Sequence, residues 1–77
     1  MTISPEKDSK GNTYIDVENI RITKVGTTWD TSSGLRIQAY KDQSKGQSLH
    51  RGAEIPVADA DTALKLLDAL KYLLLTP

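Results

Sequence analysis

The stretch that most constrains this chain is its leucine-rich C-terminal end, from Asp59 to Leu75. At about 100° per residue, Asp61, Lys65, Asp68 and Tyr72 fall on one narrow polar stripe, with Ala63, Leu67, Leu70 and Leu74 opposite. Leu66, Ala69 and Leu73 widen the apolar arc on one flank. Leu64 and Leu75 widen it on the other, interrupted only by Lys71. A helix that covers one small sheet needs an apolar face of roughly 100°. This one has well over half its circumference apolar, so more than its own sheet is expected to cover it. Leu66, Ala69, Leu70 and Leu73 are the residues expected to meet a second subunit.

Size points the same way. At 77 residues the chain is one domain, and folding a chain this short buries only about 60% of its unfolded surface. Small domains gain stability from disulfides, metals or oligomerisation. The absence of cysteine excludes disulfides and thiolate zinc sites, and the single histidine, His50, excludes a histidine-rich metal centre. Oligomerisation is left, and a homodimer joined by the helix is the expectation. No cofactor is implied. No apolar run has the length of a membrane span, and the N-terminus lacks a signal-peptide core, so the cytoplasm is the default compartment.

Residues 1–13 are polar, almost without apolar anchors, and read as a flexible arm preceding a single domain over 14–77. Tyr14-Ile15-Asp16-Val17 alternates as a short edge strand does. Ile20 to Val25 is a stronger strand, out of phase with Ile15 and Val17 unless a turn or bulge falls at Glu18-Asn19. Gly26 to Gly34 is a loop by composition and contains Trp29, the sole tryptophan. Leu35 to Tyr40 alternates cleanly, with Arg36, Gln38 and Tyr40 on one face. Leu49 to Val57 is the last strand, and Pro56 marks its end or an edge. Asp59 is placed to cap the helix, Asp61 and Lys65 to pair at i, i+4, Asp68 and Lys71 at i, i+3, and Thr76-Pro77 to end it. The predicted fold is α+β, an antiparallel sheet of three to four strands followed by one helix packed on one face.

Catalysis finds little support. His50 has no recognisable nucleophile elbow or third triad member, and reads as a surface strand residue. Asp59, Asp61 and Asp68 are explained by capping and salt bridging, and no glycine pattern resembles a phosphate loop. The chain reads as non-enzymatic.

Zero net charge hides an uneven distribution: residues 1–19 carry −2, residues 20–52 carry +4 and residues 53–77 carry −2. Of the basic middle, Arg21 and Arg36 project from the sheet face opposite the helix together with Gln38 and Tyr40. Lys41, Lys45 and Arg51 sit at strand ends or in the connecting turn, and Lys24 sits with Trp29 at another loop. Arg21, Lys24, Arg36, Lys41, Lys45 and Arg51 supply the charge that tracks a phosphate backbone, and Trp29 and Tyr40 supply rings on which unpaired bases stack. Gln38 adds a hydrogen-bonding group for a base edge. The plainer reading is that these side chains simply solvate a sheet face and that Trp29 plugs the core. A protein-interaction module without nucleic-acid binding is the rival function, favoured by the zero net charge and acidic ends.

From Leu35 onward the chain resembles the single-stranded-DNA-binding domain of the transcriptional positive cofactor four family, including its small bacterial and phage relatives. The carrying residues are Leu35-Arg36-Ile37-Gln38-Ala39-Tyr40, a lysine-containing turn, Arg51-Gly52-Ala53-Glu54-Ile55-Pro56-Val57 with Ala53 as an extra residue after the glycine, and the leucine-rich helix. The resemblance implies a four-stranded antiparallel sheet, dimerisation through the helices and single-stranded DNA or RNA lying on the sheets.

Overall fold

The computed structural model describes residues 3–26, 34–41 and 48–76. Five antiparallel strands form one sheet in sequence order: β1 (Glu6–Lys7), β2 (Thr13–Val17), β3 (Ile20–Val25), β4 (Gly34–Ala39) and β5 (Ala53–Ile55). Helix α1 (Ala60–Leu75) follows. The α+β class and the strand-then-helix order agree with expectation.

The strand count is higher than expected, because β1 lies within the stretch read as an arm. A compact hairpin loop holds it. Asp8 N–H donates to the Asn12 carbonyl at 2.9 Å, and the Asp8 carboxylate accepts from the backbone N–H groups of Lys10 and Asn12 at 2.9 and 2.8 Å. Gly11 sits at φ 84°, where a side chain would be strained, as the third residue of such a three-residue loop requires. The Asn12 N–H holds the Asp8 carboxyl below its ordinary pKa.

The phase break between Val17 and Ile20 is a two-residue turn. Val17 pairs with Ile20 directly across it, and Glu18 takes a positive φ of 54°. The register then sorts the side chains. Ile15 pairs with Ile22 and Ile22 with Ile37, while Leu35 pairs with Ile55. These lie on one face with Val17, Ile20 and Ala39. On the other face Tyr14 pairs with Thr23, Thr23 with Arg36 and Arg36 with Glu54, beside the row Asp16, Arg21 and Gln38.

Between β4 and the last strand the register slips by one. Ile37 pairs with Ala53, whereas Tyr40 bridges Leu49, so residues 50–52 stand opposite residues 38–39. The extra residue is a β-bulge, and Gly52 is its tight point. A Cβ there would overlap the Ile37 carbonyl oxygen and lie 2.6 Å from Gln38 Cγ. β5 stops at Ile55, immediately before Pro56.

Helix α1 begins as expected. The Asp59 carboxylate accepts from the Thr62 N–H at 2.8 Å, which holds its pKa low. Asp61 and Lys65 pair at 3.2 Å. At the far end the Thr76 N–H and hydroxyl both donate to the Tyr72 carbonyl, at 3.1 and 2.7 Å. The helix stands over the apolar sheet face without closing on it. An open groove of about 300 Å³ runs between Ile22, Leu35, Ile37, Ile55 and Val57 of the sheet side and Ala63, Leu66, Leu67 and Leu70 of the helix. No residue of α1 is buried, and Ile20 and Ile37 of the sheet also remain exposed. The best-shielded side chains are instead Thr23, Val25, Tyr40 and Val57. Thr23, Val25 and Tyr40 belong to the face away from the helix.

Candidate ligand-binding face

The polar face is built by alternation in β2, β3 and β4, which projects every second residue away from the helix. Its centre is a closed polar cluster. Arg21 Nη2 donates to the Tyr40 hydroxyl oxygen at 2.6 Å, and Arg21 Nε donates to Asp16 Oδ1 at 3.3 Å. The Tyr40 hydroxyl donates to Asp16 Oδ2 at 2.8 Å. Arg21 also lies over the Tyr14 ring, 3.8 Å from its centroid. Burial opposes the charge on Arg21, yet the bonds to Tyr40 and Asp16 prevail and raise its pKa. Burial and the bond to Asp16 raise the Tyr40 pKa.

A second pair flanks the cluster. Arg36 Nε and Nη2 both donate to Glu54 Oε2, at 3.0 and 2.7 Å, with the two side chains 36% and 40% exposed. At that exposure the pair fixes side-chain direction more than it adds stability. Gln38 Nε2 donates to the His50 carbonyl at 3.2 Å, across the bulge. Lys41 and Arg51 are exposed and hold no ion pair among the described residues.

Arg21, Arg36, Gln38 and Tyr40 therefore share one face, as expected. Four positions differ in what they offer. Tyr40 is only 2% exposed, so its ring, as placed, presents no surface to a base. Lys24 pairs with Leu35 on the helix side of the sheet and lines a small recess with Val57, Asp59 and Ala63. Arg21 and Arg36 are already engaged by carboxylates. Trp29 and Lys45 lie outside the described residues. Sequence reasoning missed Tyr14, a half-buried ring on the polar face, and missed that Asp16 and Glu54 balance the two arginines there. The alternation of Tyr14 with Asp16, once the Glu18-Asn19 turn is set, was the available signal.

Among the described residues no group of three or more His, Asp or Glu side chains lies together as a metal site, and no helix is long and apolar enough to cross a membrane. The fold and this face define a small open antiparallel sheet with one apolar, helix-bearing side and one polar side. Comparison of the chain with family models, curated proteins and solved structures returns no match.

Proposed function

We propose that the chain is a non-enzymatic binding protein that takes single-stranded nucleic acid on its polar sheet face. The observation that carries this reading is the division of the sheet. Tyr14, Arg21, Arg36 and Gln38 come from three adjacent strands onto one face, flanked by the exposed cations Lys41, just past the end of β4, and Arg51, beside β4 at the bulge. Apolar residues and the helix occupy the opposite side. Guanidinium planes and tyrosine rings stack on unpaired bases, and exposed cations contact the intervening phosphates. In this arrangement Arg36, Lys41 and Arg51 meet phosphate. The Arg21–Tyr14 stack supplies the planar surface that Tyr40 does not, and Gln38 meets a base edge. The sequence resemblance from Leu35 onward, read from short motifs alone, implies the same ligand class.

The test is an anisotropy titration of a labelled oligothymidine at two salt concentrations. Three phosphate contacts per chain predict a log–log salt slope of about −2. Absence of binding at micromolar protein in low salt overturns the reading.

A specific observation favours a second reading, a protein-interaction module. Each arginine at the centre of the polar face already holds a carboxylate, Asp16 or Glu54, so phosphate must compete with an internal anion. Capture of a protein from lysate that survives nuclease treatment, together with no oligothymidine binding, selects this reading instead.

A further inference from the structure

Arg36 and Glu54 stand directly opposite each other in the register of β4 and β5. Arg36 Nε and Nη2 converge on a single carboxylate oxygen, Glu54 Oε2, at 3.0 and 2.7 Å. A non-bridging phosphate oxygen carries the same charge and accepts from a guanidinium in the same geometry. A phosphate and Glu54 therefore need the same two donors, and Arg36 serves one of them at a time.

The carboxylates on the two arginines of this face are held differently. Asp16 is 16% exposed and accepts from the Tyr40 hydroxyl as well as from Arg21. Taking it off Arg21 breaks a closed ring of three hydrogen bonds, most of it shielded from water. Glu54 is 40% exposed and stands on a strand of three residues that is the last in the sheet. Turning its side chain outward moves it into water and parts no strands. An ion pair at that exposure is held weakly, so an arriving phosphate displaces it. We propose, resting on the reading of the polar face as a single-strand site, that Glu54 is an internal competitor for phosphate: it occupies Arg36 in the free protein, leaves as the strand binds, and so sets the affinity of the face. Asp16 stays on Arg21 throughout and keeps that guanidinium in place over the Tyr14 ring. Glu54 lowers affinity twice over, because the strand must break its pair with Arg36 and then lies beside a charge of its own sign.

Anisotropy titrations with labelled oligothymidine at about 0.1 M salt test this, with circular dichroism as a control for folding. Glu54→Gln is expected to bind about fivefold tighter than the wild-type chain, the upper range for an exposed ion pair expressed as a ratio. Glu6→Gln removes the same charge from the same face, opposite Tyr14. Glu6 lies three strands from Arg36, beyond the Debye length of about 10 Å, and its loss is expected to tighten binding less than about twofold. In an Arg36→Ala background the Glu54 substitution is expected to add less than about twofold, because the pair no longer exists to be broken. Wild-type binding with no gain in Glu54→Gln overturns the inference and leaves the ligand reading standing. Equal gains in Glu54→Gln and Glu6→Gln, or a gain that persists without Arg36, assign the effect to overall charge and overturn it as well. Absence of binding by every variant at micromolar protein, in low salt too, overturns the ligand reading and this inference with it.

Discussion

Arg21 and Tyr40, 19 residues apart in sequence, meet on the polar face with Nη2 donating to the phenolic oxygen at 2.6 Å. That oxygen in turn donates to Asp16, and Asp16 accepts from Arg21, so three side chains close a ring of hydrogen bonds. A ring of this kind, nearly closed to water, costs most when one member is removed and its partners are left unpaired.

Tyr40→Phe removes only the hydroxyl and is expected to destabilise the fold by about 2 kcal/mol, read by urea denaturation. The same group sets an alkaline limit. Its folded-state pKa is raised above the ordinary 10.0 by burial and the bond to Asp16. The folded state therefore holds the proton more tightly than the unfolded chain does. This contribution is fully present below about pH 10 and is lost as pH rises through the folded-state pKa. The Tyr40→Phe variant is expected to lose this part of the alkaline dependence; an unchanged alkaline profile contradicts the assignment.

Glu18 holds a positive φ in the two-residue turn between β2 and β3, where glycine has no steric penalty. Left-handed backbone costs an ordinary residue about 1–2 kcal/mol, and glycine's extra unfolded-state freedom offsets about half of that. Glu18→Gly is expected to stabilise the chain by about 0.5–1 kcal/mol, a rise of a few degrees in melting temperature for a domain of this size.

Gly52 is the opposite case. Its requirement is space and not φ, because an added Cβ meets the Ile37 carbonyl oxygen. Gly52→Ala forces β4 and the bulge apart and is expected to cost about 3 kcal/mol or more. Equilibrium denaturation checks it, and a loss under 1 kcal/mol, on the order of an ordinary surface substitution, contradicts the close approach.

The legible parts of this chain are those where a local rule and the tertiary fold agree. Asp59 as cap, Thr76 as terminator and the turn at Glu18-Asn19 were readable because each is decided within a few residues. The sharing of one face by Arg21, Arg36 and Gln38 followed from alternation alone. β1 escaped because Glu6 and Lys7 carry no apolar period, although Asp8 and Gly11 held the turn signal. The environment of Tyr40 escaped for another reason. Its partners Asp16 and Arg21 come from the preceding hairpin, and no period within Leu35 to Tyr40 announces them. The bulge at residues 50–52 was visible only as one residue too many, Ala53, after Gly52.

The central claim is that the polar sheet face, and not the apolar side that bears the helix, takes the ligand. Amide chemical-shift mapping during an oligothymidine titration in low salt tests it most directly. The account predicts shifts at Tyr14, Arg21, Arg36, Gln38, Lys41 and Arg51 with α1 unmoved. Shifts concentrated in α1, or none anywhere at saturating oligonucleotide, would contradict it.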